Sequence, residues 1–416
     1  MDRSTYQQKR KHFFDQIDHF WPDLYDEEYA LYDVYEMNRD LVQAVNTATK
    51  RIGSIFFKTA TLLRRAEDEV LLEMGFPKRT LSFLRLMPLP TESVIARLDL
   101  VQSGEEIKCL EINSDTPTFI KEVFYINELI CKEFGLTNPN DGMERRLSKA
   151  IRTSIIGSFG LSKKQPNLVF TAHADHLEDR NTALYLQQLC GLPAKFVPLH
   201  RLQIERGVGL YDEAGNSIDV LYRQTFPIEN LIEDQDHHGN PIGLWLLELV
   251  QLGKLKIINP PSAFLVQNKA VQAVIWGLHL ENHSFFSGEE HQWIDEHFLP
   301  TFFEPDPFLE TSQAFVKKPT FGREGDTVEI YDETGNLQMA DSQTSYTEYV
   351  PIYQKYIDLP IIPFSTEKGQ RLGHMIIGSF LINGQPSGIG ARVGNPITDN
   401  LSYFLPIGVS KNPNGG

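Results

Sequence analysis

Arg97 and Asp99 stand two residues apart in "VIARLDLV", and Glu111 and Asn113 stand two apart in "IKCLEIN". Both runs are rich in apolar and β-branched residues, so they read as strands, in which residues two apart share a face. A three-residue loop of Gly104, Glu105 and Glu106 between them sets Asp99 opposite Glu111 and Arg97 opposite Asn113. Two facing carboxylates repel unless a cation lies between them, and an asparagine carbonyl beside them completes an oxygen set suited to Mg²⁺. The same alternation also describes the solvated face of an antiparallel hairpin, and these residues alone leave both readings open.

A second chemical pattern lies in "AFVKKPTFGREGDTVEIYD", residues 314 to 332. A strand carrying Lys317 and Lys318 runs into a loop containing Gly322, Arg323 and Gly325, then returns as a strand. Backbone amides, a lysine and an arginine can converge there on phosphates. The order of a Walker loop is absent, and an ordinary glycine-containing hairpin fits the stretch as well. Neighbouring strand residues face opposite ways, so only one of the two lysines can serve such a site.

His173, Asp175 and His176 in "TAHADHLED" have metal-ligating types, as do the histidines of "DQDHHG", but neither spacing is that of a zinc site. The second cluster reads as a solvated polar loop. Glu178 and Asp179 suit either an ammonium group or a helix start, because acids favour helix N-termini.

These groups need elements to hold them. The 416 residues, 41% hydrophobic and 23% charged, have an ordinary globular composition with length for one large or two to three smaller domains. Residues 1–90 read as a mainly helical scaffold, with "NRDLVQAVNTATKRIGSIFFKTATLLRRA" showing apolar positions at three- and four-residue spacing. Residues 91–118 hold the acidic hairpin, and a helix is expected from about Ile120 to Phe134. Within 165–260, strands such as "NLVFTAH", "AKFVPL", "IDVLYRQ" and "LKIINPP" alternate with helices "NTALYLQQLCGL" and "GLWLLELVQLGK". That alternation indicates a parallel α/β subdomain, in which ligands bind at the carboxyl ends of strands. Residues 283–360 carry the lysine strand and its loop, and 361–410 complete the core. The closing "KNPNGG" reads as disordered.

A net charge of −16 disfavours nucleic acid as a partner and favours cationic small molecules. No apolar run is long enough for a membrane span and no secretory leader is evident, so a cytoplasmic protein is expected. Three cysteines without a C-x-x-C spacing argue against disulfides or structural zinc and read as buried thiols. The oligomeric state is not legible.

Seven stretches, in order along the chain, resemble the ATP-grasp ligase domain of glutathionylspermidine synthases and trypanothione synthetases. They are "RLDL", "LEINSDTPT", "NKAVQAVIW", "VKKPTFGREG", "YVPIYQKYIDLP", "IIGSFLINGQPSGIGAR" and "NLSYFLPIGV". The resemblance implies an ATP-grasp fold whose metal ligands precede its nucleotide lysines, akin to a circular permutation, with an α/β substrate subdomain and a lid. It implies Mg²⁺ on Asp99, Glu111 and Asn113, and ATP contacts from Lys269, Lys318, Gly322, Gly325 and Gln354. Arg97, Arg323 and Arg392 are implied at the reacting groups, with Thr116 and Thr118 near the acid substrate and Glu178 and Asp179 near the amine. The implied reaction joins a glutathione-like peptide carboxylate to a polyamine-like amine through an acylphosphate. A nucleotide-binding member with altered catalysis, or a metal hydrolase built on "HADH", are the alternatives. The family's two-domain members begin with a cysteine amidase, whereas this sequence begins in the ligase, so synthesis alone is expected. "VGNPIT" after Arg392 replaces acidic residues expected in the family.

Overall fold

The computed structural model describes residues 2–157, 166–323, 325–399 and 401–411. Most of the closing "KNPNGG" therefore lies outside the described residues. The fold is mixed α/β, and three sheets of four or more strands position the site.

The first sheet is antiparallel, in the order Tyr403–Leu405, Gln385–Gly394, Gly369–Ile382, Ile95–Ser103, Glu106–Asn113. Ile361–Thr366 pairs with the remaining part of Gly369–Ile382. Asp99 pairs with Glu111 and Arg97 with Asn113, the partners expected from the sequence. The route to that register differs from the expectation. Ser103 pairs with Glu106, so the turn has two residues, with Gly104 at a φ of +62°. The register shifts between Asp99 and Leu100, leaving Leu110 as an extra residue on the return strand. This bulge restores the pairing that a three-residue loop would have produced. On the other side, Gly378 pairs with Asp99. A Cβ there would lie 3.1 Å from Phe119 and 3.3 Å from Arg97 Cδ, so glycine leaves room for the arginine stem to lie across the sheet.

Helix Arg39–Leu63 supports this sheet from behind. Asn38 caps it by accepting from Leu41 N at 2.7 Å, and Val45, Ala48, Ile52, Ile55, Phe56, Ala60 and Leu63 form its buried stripe. Thr49 and Ser379 hydroxyls meet at 2.7 Å across the interface, and a Cβ on Gly53 would strike Leu381 at 2.5 Å. The rest of the N-terminal scaffold is less helical than expected. Between helix Arg3–Phe14 and Arg39 the chain makes short pairings, Asp23–Leu24 with Glu27–Glu28 and Tyr35–Glu36 with Ile407–Gly408. Pro22 and the positive φ angles of His19, Tyr25 and Asp26 break any helix there.

The second sheet is parallel, in the order Lys256–Ile258, Val220–Gln224, Leu168–Ala172, Ala194–Phe196, with helices Leu177–Leu189 and Ile242–Gln251 between strands. Its central strands are buried throughout, as strands covered on both faces must be. A short hairpin, Gln203–Glu205 with Gly209–Tyr211, was not marked by the sequence pattern. Asn259, just past the edge strand, ties this sheet to the acidic hairpin. Its Oδ1 accepts from Val94 N and Ile95 N at 2.8 and 3.0 Å, and its Nδ2 donates to the carbonyls of Ile95, Ser114 and Asp115 at 2.8 to 2.9 Å. Losing that amide would strand several buried backbone groups, each costing about 1–3 kcal/mol.

The third sheet is antiparallel, in the order Thr301–Phe302, Pro351–Lys355, Phe315–Pro319, Glu329–Tyr331, Leu337–Ala340. Among the described residues no helix is long and apolar enough to cross a membrane. Cys109, Cys131 and Cys190 are free and buried.

Candidate active site

Arg97 grips Asp99 with two nitrogens, Nε to Oδ1 at 2.7 Å and Nη2 to Oδ2 at 3.1 Å. Its Nη1 donates to the Thr118 carbonyl at 3.2 Å. Asp99 is only 3% exposed, so the pair acts in a weakly screened environment. Across the hairpin, Asn113 Nδ2 donates to Glu111 Oε1 at 3.3 Å. The chain beyond Asn113 is fastened from below. Gln267 Oε1 accepts from Ser114 N and Asp115 N at 2.7 and 3.2 Å, and Asp115 forms a fully buried ion pair with Arg223 of the parallel sheet.

The lysines reach the same place from other elements. Lys269, at the start of helix Ala270–Leu280, puts Nζ 3.4 Å from Glu111 Oε2 and donates to the Gly322 carbonyl at 3.0 Å. Lys318 Nζ donates to Gln354 Oε1 at 2.7 Å. Lys317 faces the other way and donates to Glu329 at 2.9 Å, as strand alternation requires. Burial alone would raise the Glu111 carboxyl, but Lys269, Lys318 and Arg97 outweigh it and hold the group at about 2. Burial pulls the Lys318 ammonium down to about 8, against the pull of Glu111. Glu111 is thus kept anionic by a surplus of cations.

Two cavities meet at the hairpin. One is lined by Lys269, Lys318, Gly322 and Glu111 and by the apolar side chains of Val316, Ile330, Ile357, Leu359 and Ile376 with Tyr356. The second holds Arg97, Asn113, Thr116, Thr118, Glu178 and Arg392. Asp99, Glu111, Arg323, Gly325 and Thr398 line both. Arg323 and Gly325 of the loop from Thr320 to Gly325 therefore form part of the shared wall. Gly325 has a φ of +75°, and a Cβ there would meet Ile397 at 2.6 Å and the Thr398 carbonyl at 2.7 Å, so only glycine permits this contact.

Most residues singled out in the sequence come together here. Arg97, Asp99, Glu111, Asn113, Thr116, Thr118, Glu178, Lys269, Lys318, Gly322, Arg323, Gly325, Gln354 and Arg392 all line one or both cavities. Asp179 does not. It is 1% exposed and faces His176, whose Nδ1 stands 3.0 Å from Asp179 Oδ2. The Gln354 side chain is turned to Lys318 and is held by Gln272 and Thr301 at 3.2 and 3.4 Å, so it orients a lysine. His173 and Asp175 line a different cavity. Burial, with Glu122 and Asp179 nearby, pushes the Glu178 carboxyl up to about 8.

Sequence reading missed Tyr29, which lines the second cavity and donates to the buried Glu122 at 2.7 Å. It also missed Gln272, the Asp115–Arg223 pair and Thr398. Asp115, Arg223, Gln272 and Thr398 all lay in stretches already singled out, "LEINSDTPT", "IDVLYRQ", "NKAVQAVIW" and "VGNPIT", but nothing local marked them as site residues, and Tyr29 joins from the N-terminal segment.

Two carboxylates and one amide oxygen on facing strands make a hard oxygen set that fits Mg²⁺. Among the described residues no three His, Cys, Asp or Glu side chains converge as a metal cluster. Lys269 occupies the Glu111 side of the oxygen set.

A Haemophilus influenzae protein whose assigned name is acid–amine ligase is 25% identical over 326 residues, covering 74% of this chain and 73% of its own. A crystal structure of a Methylobacillus flagellatus KT protein, named for γ-glutamylcysteine synthetase, aligns with a TM-score of 0.46 at 11% identity, over 90% of this chain and 88% of its own. The family model described as glutathionylspermidine synthase preATP-grasp matches residues 3–410. A match over nearly the whole length settles the family, and this chain belongs to the glutathionylspermidine synthase preATP-grasp family of ligases.

Proposed function

We propose that the protein joins a carboxylic acid to an amine at the cost of ATP, releasing ADP and phosphate. The observation that carries this reading is the shared wall of the two cavities. The first cavity, with its lysines and apolar side chains, would take ATP and the second the acid, and both would then reach Asp99 and Glu111, which line the two cavities. In this reading the order of metal ligands before lysines reflects a circularly permuted ATP-grasp core, with residues 283–360 as the lid region and 165–260 as the substrate subdomain.

Asp99, Glu111 and Asn113 would hold Mg²⁺, which when bound neutralises phosphate charge. Lys318 and Lys269 grip the phosphates, and Gln354 keeps Lys318 on the cavity side of its strand. Gly322 and Gly325 let the loop close over them, and Arg323, on both cavities, meets the transferred phosphoryl group. Arg97 and Arg392, with Thr116 and Thr118, orient the acid, a peptide-like carboxylate. The acid oxygen attacks the terminal phosphorus, and the resulting acylphosphate is shielded from water by the loop. The amine nitrogen then attacks the acyl carbon, phosphate leaves, and the proton lost from nitrogen passes to Glu178. Positioning and neutralised charge suffice for phosphoryl transfer, and no protein nucleophile is needed.

Glu178 on the second cavity, in a chain of net charge −16, favours an amine with more than one ammonium group, whose charge would draw Glu178 into its carboxylate form. The test is ADP release from the full chain with Mg²⁺ and ATP, across peptides and amino acids crossed with polyamines and monoamines. ADP release needing both an acid and an amine is expected, with the polyamine KM rising between about 0.05 and 0.5 M salt. ATP-independent product, or monoamines preferred over polyamines, would count against the ligase and the polyamine parts respectively.

A further inference from the structure

A third cavity opens at the carboxyl ends of the parallel strands, and the proposed reaction does not use it. Thr171 and Arg223 are paired neighbours on two of these strands, and both line the cavity. Both are buried, and Thr171 Oγ1 and Arg223 Nε have no hydrogen-bond partner. Arg223 uses its other nitrogens on Asp115, Thr225 and the Phe226 carbonyl, and its Nε–H is left without an acceptor. Ile242 and Gly243, at the N-terminus of the ten-residue helix Ile242–Gln251, join them on the wall. The remaining wall is aliphatic, with Leu199, Leu202, Ile204, Leu221 and Leu246, while Asp175 and Asp234 supply carboxylates.

The cavity is separate from the ligase cavities. Thr225 lines it and Pro227 lines the acid cavity, while Phe226 between them packs its ring 4.8 Å from that of His173.

Two opposite polarities around an aliphatic chamber define a ligand. A spare guanidinium donor and a hydroxyl suit a carboxylate, and the two aspartates suit an ammonium. The aliphatic wall suits a branched side chain, since a leucine-lined space gains by excluding water. We propose that this cavity binds a free aliphatic amino acid, with its carboxylate at Arg223 and Thr171 and its ammonium at Asp175 and Asp234. The site is coupled to the reaction centre through Arg223, because Asp115 lies in the segment between Asn113 and Thr116.

Calorimetric titration of the full chain without ATP tests this independently of the ligase reading. L-leucine or L-isoleucine should bind saturably, and glycine, 4-methylpentanoate and 3-methylbutylamine should each bind at least tenfold more weakly. Leu202→Trp, which fills the chamber, and Thr171→Val, which removes a hydroxyl without changing shape, should each weaken leucine at least fivefold. Thr171→Val deletes an unpartnered buried group, so it retains the fold even if the tryptophan variant does not. No saturable leucine or isoleucine binding, equal affinity for glycine, or unchanged affinity in Thr171→Val would overturn the proposal. So would leucine affinity that falls in Glu178→Gln but not in Leu202→Trp, because the ligand would then occupy the acid cavity.

Discussion

Lys318 and Gln354 lie diagonally across neighbouring antiparallel strands, Lys318 opposite Ile352 and Gln354 opposite Val316, and the Lys318 ammonium donates to the Gln354 amide oxygen at 2.7 Å. Gln354 is in turn held by Gln272, whose own Nε2 donates to the carbonyl of Leu110, the bulged residue beside Glu111. The lysine thus shares one hydrogen-bonded chain with the acidic hairpin.

Lys318→Ala should weaken ATP binding by about 10- to 100-fold, the loss of one charge-assisted contact of roughly 1.5–3 kcal/mol. Lys317→Ala, on the opposite strand face and paired with Glu329, should change it less than about twofold. Titration with a non-hydrolysable ATP analogue separates the two. Equal effects would mean that the face assignment does not govern nucleotide binding.

Asp99→Ala and Glu111→Ala should each lower ADP formation by at least about a hundredfold with the fold intact, because several kcal/mol of transition-state charge stabilisation are removed. Chelating Mg²⁺ should do the same in the wild type. Near-normal turnover of either variant at saturating Mg²⁺ would sink the metal assignment, and circular dichroism checks the fold.

Glu178 makes stability depend on pH. Its carboxyl is raised by burial, Glu122 and Asp179 from an ordinary 4.5 to about 8 in the folded chain, so the folded state binds the proton more tightly. Its contribution is fully present below about 4.5 and is lost as pH rises through about 8. Glu178→Gln should therefore flatten the decline in urea midpoint over that window. An ammonium ligand beside Glu178 should also expel its proton, so amine binding at pH 7 should show a calorimetric heat that varies with buffer ionisation. A variant whose decline matches the wild type would remove Glu178 as its source.

Breaking the Asp115–Arg223 pair should cost stability heavily. Both side chains are fully buried, and Asp115 Oδ2 also accepts from Ile228 N at 2.9 Å. Asp115→Ala leaves a buried guanidinium uncompensated, which typically costs about 3–5 kcal/mol. The check is the chemical-denaturation midpoint, and a change below about 1 kcal/mol would show that water or another group takes over the charge.

The sequence by itself determined the acidic hairpin, because strand periodicity is local and a register with Asp99 opposite Glu111 is the one that buries Leu98 and Ile112 together. It also determined the parallel α/β segment, whose short apolar strands and amphipathic helices alternate without long-range help, and the opposite facing of Lys317 and Lys318. It did not determine the turn. Two compensating features, a shorter loop and a bulge at Leu110, leave the same pairing at Asp99 and are indistinguishable in composition. Only the tertiary structure decided that Glu178 enters the acid cavity while its neighbour Asp179 turns to His176, since the first residues of a helix point in directions set by what the helix packs against. It likewise decided that Gln354 serves Lys318, because the partners that hold its amide, Gln272 and Thr301, come from elements 82 and 53 residues away. Tyr29 and Glu122 show the same limit. A local pattern fixes which face a residue lies on, whereas the partner it meets there depends on contacts between distant segments that no local period encodes.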